Sequence, residues 1–528
     1  MRYLIALISG VLCALPVMWE EVGFLSWFAA VPYIVLLLKS APHCRYRDGL
    51  MFSLGYYGVL YHWFLCLYPL TFAGLNAWQS VAMIAVSWIG LTALNGLELA
   101  LLPLILRLLR LDPNSRFGKP LSPLLIAAAW CVLEWGQTQT WLGVPYFRLA
   151  LSQTGSLPVL QSTSVFGSLF LSFLIILVNA LLAQACIGLT AHDRRSRIYA
   201  AAAALLFAVN YLFGAVAVAA YREDGDRCVR VACIQGNYLS GEKWNVTVAE
   251  TLDTYVSLTR EAASDGARLI VWPETAITVS LERHPDIVTR LSSLAREFDV
   301  TLFVGAFHDG TDADGEPLTY NSIWCIAPDG TVNQTPYNKQ HLVPFGEYLP
   351  MAGFIRAVLP VLSELNLYSD NLQPGQTSVV TETEWGKVGG LVCFDSIYET
   401  LSVDAVRNGA ELIVMATNDS WYKDSTAVYQ HNRHAVLRAV ENGRYIVRAA
   451  NTGISSVISP VGQVKTSLGA LLQGNVVSDA VFSSHRTPYS IIGNAFVALC
   501  GVGLTAYAAV VTVSRRRTRK TENCSDED

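Results

Sequence analysis

The sequence predicts two parts in one chain: a polytopic α-helical membrane domain of about eight spans, and a water-soluble α/β domain. Three observations predict this. The 528 residues are 52% hydrophobic but only 15% charged, against about 25% charged in an ordinary soluble domain. Residues 1–220 carry 12 Lys and Arg against 7 Asp and Glu, whereas the rest of the chain carries 25 against 35. Long apolar runs fill the first part, and short apolar runs alternate with helix-like stretches in the second.

Eight apolar stretches approach or exceed the roughly 20 residues that cross a bilayer. They lie at about 3–19, 22–38, 49–69, 77–106, 121–135, 159–190, 198–220 and 488–514. The first has an alternative interpretation as a cleaved signal peptide, because Arg2 precedes a short apolar core. Another apolar stretch follows after only Glu20 and Glu21, which favours a retained helix. The sequence therefore predicts about seven spans in a membrane domain over 1–220 and a C-terminal span over 488–514.

Basic residues concentrate in alternate connections between these spans. They lie in 39–48, 107–120 and 191–197 and in the tail 515–528, whereas the connections 20–21 and 70–76 have none. Cytoplasmic loops carry the excess of Lys and Arg in membrane proteins. Both termini are therefore predicted in the cytoplasm, and residues 221–487 form a domain on the outer side of the membrane.

Residues 229–480 have the pattern of an α/β domain. Short apolar runs typical of buried strands lie at Val229–Ile234, Leu269–Trp272, Thr301–Gly305, Val388–Val392, Leu412–Ala416 and Ile454–Ile458. Helix-like stretches lie between several of them, at 247–263, 285–298 and 427–443. Strands that alternate with helices predict sheets covered by helices. The irregular stretch 353–376 is expected to form a mobile flap.

The cysteine pattern and the net charge exclude several classes of site. The eleven cysteines include no C-x-x-C pair and no Cys/His ligand spacing, so we expect neither a metal nor another cofactor. The net charge of −5 argues against a nucleic-acid partner. Cys228 and Cys233 have an odd separation on one predicted strand, which points their side chains to opposite faces and disfavours a disulfide.

Three fragments carry chemically capable residues, and two of them place such a residue at the end of a predicted strand. They are Leu269–Ala276 with Glu274, Tyr337–Pro350 with Lys339, and Gly389–Asp395 with Cys393. In this order they resemble the Glu, Lys and Cys triad motifs of the carbon–nitrogen hydrolase, or nitrilase, superfamily. The resemblance covers about 230–480 and implies a nitrilase-like αββα sandwich. A buried cysteine that merely fills space is the alternative interpretation of the thiol taken alone.

The whole chain resembles one membrane branch of that superfamily, the apolipoprotein N-acyltransferase family. Supporting fragments are Gly23–Phe24 with Trp27 and Pro32, Trp130 with Glu134–Trp135, Gly143–Tyr146 with Ser152–Gln153, and Ile234–Asn237. Thr417–Trp421 and Arg444–Gly453 are further matches to the superfamily. The sequence departs from the family in two places. Asp395 stands where the family usually has Glu, and Gly136–Gln137 stands where a basic residue is expected.

The resemblance implies a multi-pass enzyme of the bacterial cytoplasmic membrane, with its catalytic domain on the periplasmic face. It would transfer an acyl chain from a membrane phospholipid to the N-terminal amino group of a diacylglyceryl-cysteine lipoprotein, by a ping-pong reaction through a thioester on Cys393. One alternative is a membrane-tethered nitrilase-type amidase acting on a small amide, which Asp395 favours. Another is a scaffold or transporter without catalysis, against which the intact triad argues.

The resemblance also assigns the catalytic roles. Cys393 is the nucleophile, and Glu274 is the general base and acid, because a thiol with a pKa of about 8.5 needs a proton acceptor at neutral pH. Lys339 stabilises the oxyanion, helped by the backbone N–H of Phe394.

Further residues are expected to support this chemistry. Glu347 would hold Lys339 charged and oriented, and Asp395 would do a similar job with a shorter reach. Trp244 and Trp421 are expected to contact the substrate. The regions 353–376 and 420–430 are expected to be mobile loops that keep water from the thioester.

Overall fold

The computed structural model describes residues 1–525 apart from 41–44, 72–73, 110, 112–117, 140–142, 224–226, 242, 244–245, 313, 345, 349–352 and 354–371, and describes 118–119 and 515–525 by the backbone alone. The chain divides into two compact units. The first comprises Met1–His62, Val86–Ala219 and Ile492–Asp528, and the second comprises Trp63–Ala85 and Ala220–Ile491. The second unit thus takes in 63–85, which the sequence assigns to the ends of two spans.

The N- and C-terminal parts of the chain are helical. The α-helices are Arg2–Met18, Val31–Ser40, Tyr46–Leu60, Ala77–Leu99, Leu102–Leu108, Gly118–Gly136, Leu157–Leu160, Thr163–Phe166, Ser168–Thr190, Ser196–Ala220, Pro488–Ile492 and Ala495–Ser525. Tighter 3₁₀ turns cover Glu20–Trp27, Tyr61–Leu67 and Leu149–Gln153. The length and apolar composition of the longer helices fit a bilayer rather than water.

Six of these segments, within the described residues, are long and apolar enough to cross a membrane. They are Glu20–Ser40, Tyr46–Leu67, Ala77–Leu108, Ser168–Thr190, Ser196–Ala220 and Ala495–Ser514. Two more apolar helices, Arg2–Met18 and Pro120–Gly136, are shorter. These eight segments coincide with the eight predicted apolar stretches, so the predicted polytopic helical domain is confirmed.

Two of the long predicted spans are interrupted. The stretch predicted over 159–190 becomes continuous helix only from Ser168, because Gly167 has φ +81° and ends the short helix before it. The stretch predicted over 77–106 breaks after Leu99 and resumes at Leu102. Pro103 accounts for the second break, since a proline ring clashes with the helical turn that precedes it.

Glycines allow two helices of the first unit to pack at short range. A Cβ atom on Gly10 would lie 2.0 Å from the carbonyl oxygen of Phe52, and one on Gly55 would lie 2.2 Å from that of Leu7. The helices Arg2–Met18 and Tyr46–Leu60 therefore touch backbone to backbone. Within a bilayer the hydrophobic effect does not drive helices together, so they associate through close packing at small residues.

The second unit contains thirteen described strands, here β1–β13. They are β1 Cys228–Gln235, β2 Leu269–Val271, β3 Ile277–Ser280, β4 Thr301–Thr311, β5 Pro317–Ile326, β6 Tyr337–Asn338, β7 Val380–Thr383, β8 Gly386–Val392, β9 Leu412–Thr417, β10 Ile446–Ala450, β11 Ser455–Ile458, β12 Val464–Leu468 and β13 Gly474–Val481. Every run predicted as a strand lies on one of them. The helices Val248–Ser264, Pro285–Phe298 and Thr426–Asn442 confirm the three predicted helices, and Glu399–Arg407 adds another.

The strands form two sheets. The first has the order β13-β1-β2-β4-β5-β6, with β3 beside β4, and the second has the order β12-β11-β10-β9-β8-β7. The centre of each sheet is parallel, with β2 between β1 and β4, and β9 between β8 and β10. The outer strands pair antiparallel. Parallel strands point their carboxyl ends to one edge, where residues distant in sequence can meet.

The two sheets pack face to face over an apolar core. Side chains of β1, β2 and β4, such as Val231, contact side chains of β8, β9 and β10, such as Val414. Helices Val248–Ser264 and Pro285–Phe298 cover the other face of the first sheet, and Glu399–Arg407 and Thr426–Asn442 pack on the second. The predicted nitrilase-like αββα sandwich is therefore confirmed.

Candidate active site

The three predicted triad residues each follow a strand. Glu274 lies three residues beyond the end of β2, while Lys339 and Cys393 directly follow β6 and β8. Nζ of Lys339 lies 2.9 Å from Oε1 of Glu274, and the charges of both residues act on the thiol of Cys393. The fold thus brings together a base, a cation and a thiol that are more than fifty residues apart in sequence.

Cys393 occupies a sharp turn. It has φ +48°, in the left-handed region that side chains other than glycine rarely adopt, and it begins the 3₁₀ turn Cys393–Ile397. Such a conformation costs about 1–3 kcal/mol and persists where the surroundings enforce it, often at active sites. Burial, together with the charge of Glu274, raises the pKa of the Cys393 thiol well above its usual range. The resting residue is therefore a thiol that needs a base.

Lys339 is 1% exposed and sits between two carboxylates. Its Nζ lies 2.9 Å from Glu274 Oε1 and 2.8 Å from Glu347 Oε2. The amide of Asn321 donates to both carboxylates, at 2.7 and 3.1 Å. Burial alone would lower the pKa of Lys339, but Glu274 and Glu347 raise it well above its usual range. The predicted contact of Glu347 with Lys339 is present, and the lysine stays charged.

Glu274 lies at a corner where the backbone of another strand comes very close. A Cβ on Gly305 of β4 would lie 2.1 Å from the carbonyl oxygen of Pro273 and 2.9 Å from Cα of Glu274. Thr275, the next residue, has φ +46°. The position of the carboxylate is therefore set by a strained turn pressed against a glycine, rather than by its own side-chain contacts alone.

Asp395 is buried and joins the end of β8 to the loop that follows β6. One of its oxygens accepts hydrogen bonds from Val392 N (3.1 Å) and the Tyr337 hydroxyl (2.9 Å), and the other accepts from His341 N (2.8 Å). In the described part of the chain the ion-pair partners of Lys339 are Glu274 and Glu347. Asp395 therefore holds the backbone after Lys339 and before Cys393. The charge of Lys339 acts on Asp395 without an ion pair between them, so a supporting role for Asp395 stays a prediction.

The substitution Asp395→Asn should loosen this connection. Burial raises the pKa of Asp395 to about 6, so the carboxylate is ionised at neutral pH and accepts from donors on both oxygens. An amide would present an NH₂ group to one set of donors, at a cost of about 1–3 kcal/mol. We expect a matching loss in the free energy of unfolding, measured by denaturant titration. The control is Asp479→Asn, in an exposed pair with Arg230, and equal stability of the two variants would contradict the assignment.

A buried polar cluster lies behind the nucleophile. Nε2 of His431 is 3.1 Å from the carbonyl oxygen of Cys393, and Nδ1 is 2.6 Å from Oδ1 of Asp419. Arg448 donates to the other oxygen of Asp419 at 2.8 Å, and Ser396 donates to the same Cys393 carbonyl at 2.8 Å. Burial alone would raise the pKa of Asp419, but His431 and Arg448 lower it to about 2. The cluster fixes the strained turn through its carbonyl group.

The same cluster includes three residue types that can bind a metal. Potential ligand atoms of Cys393, Asp419 and His431 lie within 4.8 Å of one another. Both nitrogens of His431 and both oxygens of Asp419 already have partners within the protein, and the Arg448 guanidinium is one of them. A cation in this position would face that guanidinium at close range and displace the hydrogen bonds that hold Cys393, so the residues do not fit a metal.

The other predicted site residues have different outcomes. Phe394 is buried beside the nucleophile, with its ring against Tyr398. Trp421 is half-buried in the turn after β9. Trp244 lies outside the described residues, as does most of the predicted flap 353–376. The region 420–430 is not a loop throughout, because the helix Thr426–Asn442 begins inside it.

Five residues of the site had no role in the sequence analysis. They are Lys243, Asn321, Asp419, His431 and Arg448. Asp419 lies in the fragment Thr417–Trp421, already noted as resembling the family, and that fragment was the available signal. Arg448 lies in the matched fragment Arg444–Gly453, and Lys243 directly precedes the predicted Trp244. Asn321 and His431 have no local signal, because their contacts depend on strand pairing and on turns that join distant parts of the chain.

Comparisons with known proteins bear on both parts of the chain. Residues 230–478 match the carbon-nitrogen hydrolase family, and residues 9–181 match the apolipoprotein N-acyltransferase N-terminal domain. The apolipoprotein N-acyltransferase of Geobacter metallireducens is 33% identical over 518 residues, which cover 96% of this chain and 95% of that protein. The apolipoprotein N-acyltransferase of Gloeobacter violaceus is 32% identical, covering 92% and 89%. Among solved structures, Saccharomyces cerevisiae Nit3, a member of branch 10 of the nitrilase superfamily, is 19% identical with a TM-score of 0.38, covering 48% of this chain and 90% of that one.

Proposed function

Because the chain belongs to the apolipoprotein N-acyltransferase family, we propose that Cys393 carries an acyl chain from a membrane phospholipid to the N-terminal amine of a diacylglyceryl-cysteine lipoprotein. The protein is a multi-pass bacterial membrane enzyme that N-acylates lipoproteins. The acyl donor, the state of the acceptor and the residues that act are the proposal. The observation that carries it is Lys339 held between Glu274 and Glu347 beside a buried thiol.

The first half of the reaction forms the thioester. Glu274 takes the proton of the Cys393 thiol, and the thiolate attacks the ester carbonyl carbon of the phospholipid. The resulting oxyanion is stabilised by the charge of Lys339 and by the backbone N–H of Phe394, each such donor being worth about 3–4 kcal/mol. The C–O bond to the glycerol then breaks, and the leaving lysophospholipid oxygen takes the proton from Glu274. One covalent intermediate divides a difficult transfer into two easier ones.

The second half transfers the acyl chain to the lipoprotein. The neutral α-amine of the diacylglyceryl-cysteine attacks the thioester carbonyl, and Glu274 takes the proton that the amine loses. The same donors stabilise the second oxyanion. The C–S bond breaks, an amide forms, and the proton passes from Glu274 to the sulfur. Glu274 thus serves as base and then acid in each half, and the site returns to a protonated thiol.

The arrangement in the membrane belongs to the proposal as well. The catalytic domain is taken as 221–487, between seven spans in 1–220 and a last span in 488–514. The alternation of basic connections supports a periplasmic catalytic domain and cytoplasmic termini, including the tail 515–528. A thioester intermediate is protected from water best where the donor lipid and the acceptor lipid both arrive from the bilayer.

The amidase alternative explains less of the chain. It accounts for the carbon–nitrogen hydrolase match over 230–478 but not for the acyltransferase match over 9–181. The feature that favoured it, Asp395 in place of the family Glu, has a structural role in this chain, because it accepts hydrogen bonds from the His341 N–H after Lys339 and from the Val392 N–H before Cys393.

A labelled phospholipid tests the proposal directly. The purified full-length protein, incubated in mixed micelles with a phospholipid labelled in its acyl chains, is expected to gain one acyl chain on Cys393, seen as a mass increase of the peptide that contains it. A diacylglyceryl peptide with a free N-terminus should then remove the label and become an N-acyl peptide. A folded protein that never gains label, or that hydrolyses a small amide instead, would refute the proposal.

A further inference from the structure

A second lysine, Lys243, reaches the candidate active site from the loop that follows β1. It is 2% exposed, which is uncommon for a lysine. Its Nζ donates to the backbone carbonyl oxygen of Glu274 at 3.1 Å and to the hydroxyl of Thr275 at 2.5 Å. Removing an ammonium group from water is unfavourable. The charged form of Lys243 is therefore stabilised by these two acceptors and by the negative charges around it.

Both acceptors belong to the corner that carries Glu274. Thr275 has φ +46°, and the backbone of Pro273 and Glu274 presses against Gly305. Lys243 donates hydrogen bonds to two consecutive residues of this corner, to the carbonyl oxygen of Glu274 and to the hydroxyl of Thr275. A strained turn of this kind keeps its shape only when its surroundings determine it, and Lys243 is one of those determinants.

The charges of the site also require a second cation. Lys339 contacts two carboxylates, Glu274 and Glu347. With both of these as carboxylates, Lys339 alone would leave this buried group with one negative charge in excess. Transfer of the thiol proton to Glu274 moves that charge to the sulfur without removing it. The charge of Lys243 acts on both Glu274 and Cys393, and adding it makes the resting group neutral.

We propose that Lys243 is a positioning residue for acyl transfer, which fixes the Glu274 corner and balances the charge of the group that creates the Cys393 thiolate. The inference rests on the proposed function, since it concerns the same reaction at Cys393. It adds a second cation to the predicted Glu, Lys and Cys set. Lys339 faces the carboxylate oxygens of Glu274, whereas Lys243 faces the backbone of the same residue.

Substitution Lys243→Met keeps the length of the side chain and removes its charge. We expect the single-turnover rate of Cys393 acylation from labelled phospholipid to fall by about 10²-fold, which is the size of effect that a misplacement of about 1 Å produces. The control is Lys465→Met, which removes an exposed partner of Glu223 and should leave the rate unchanged. Thermal unfolding of both variants separates loss of the site from loss of the fold.

The pH profile distinguishes a charge in the site from a packing role. Burial lowers the pKa of Lys243 to about 8, against the opposing charges of Glu274 and Cys393. Above that pH the wild-type lysine loses its proton and the group becomes negative, so the acylation rate should decline on the alkaline side. The Lys243→Met variant has no such group, and this decline near pH 8 should be missing from its profile. A variant that keeps the wild-type profile would overturn the charge-balancing role.

A matched pair at Thr275 decides the question if Lys243→Met does not fold. Thr275→Ser keeps the hydroxyl that accepts from Lys243, whereas Thr275→Val keeps the shape and removes it. We expect Thr275→Val to acylate at least 10-fold more slowly than Thr275→Ser, and equal rates would overturn the inference. Wild-type protein is assayed alongside. An absence of adduct there refutes the proposed function, whereas a wild-type adduct with an undiminished Lys243→Met rate refutes the inference alone.

Discussion

Cys393→Ala is expected to abolish acyl transfer completely, because the substitution removes the only atom on which the proposed intermediate can form. Both halves of the reaction then lack their covalent carrier, so no residual turnover should remain above the uncatalysed background. The fold should survive, because alanine differs from the buried Cys393 side chain by a single sulfur atom. The measurement is the mass of the Cys393 peptide after incubation with labelled phospholipid, together with N-acylation of a diacylglyceryl peptide.

Two companion variants sharpen this result. Cys228→Ala removes an exposed free thiol of the same unit and should retain full activity. Cys393→Ser keeps the geometry but offers a much weaker acid, which neighbouring groups cannot ionise readily. It should accumulate at most a trace of acyl ester that resists neutral hydroxylamine, the reagent that cleaves the wild-type thioester. Acylated lipoprotein from Cys393→Ala at the wild-type rate would show that another residue carries the acyl chain.

Glu274→Gln should produce the second largest loss, in both halves of the reaction. The amide has nearly the same shape and can still accept a hydrogen bond from Lys339, so the fold is preserved while the base is lost. General acid–base catalysis contributes about 10²–10⁴-fold, and the single-turnover rates of acylation and of discharge should each fall within that range. Raising the pH should not restore the rate, because burial holds the pKa of the Cys393 thiol well above its usual range and Lys243 loses its charge near pH 8.

Glu347→Gln serves as the comparison for this variant. Glu347 contacts the same lysine and the same Asn321 amide as Glu274 does, but it does not receive the thiol proton in the proposed reaction. We expect a smaller loss, from a less well held Lys339, and no recovery at high pH. If the acylation rates of the two variants fall by the same factor, Glu274 is not the base.

The sequence predicts the sandwich and the three central residues because that information is local. Glu274 and Cys393 each follow a short apolar run that becomes a strand, whereas Lys339 lies in a fragment that resembles the family motif. Glu347 was predictable for the same reason, since it lies eight residues from Lys339 in the same fragment. A strand ending in a polar residue is visible in the sequence, and the fold needs only to bring the strand ends to one edge.

The contacts that complete the site join residues that are distant in sequence, and no local sequence pattern indicates them. Asn321 reaches Glu274 because β5 pairs with β4 and β6, and Lys243 reaches Thr275 from a turn thirty-two residues away. Asp395 was predicted as a shorter version of a glutamate, but its partners are backbone N–H groups and the Tyr337 hydroxyl. Strand register and backbone conformation decide these contacts, and neither can be read from residue types.

The protonated state of the resting thiol has a consequence for survival of the enzyme outside the cytoplasm. Oxidation to a sulfenic acid and exchange with disulfides both require a thiolate. Burial and the charge of Glu274 keep Cys393 in the thiol form until substrate reaches it. On the proposed periplasmic face, where disulfides form readily, the nucleophile is therefore resistant to oxidants between turnovers. The burial and the negative charge that make catalysis depend on a base therefore also protect the Cys393 thiol from oxidation.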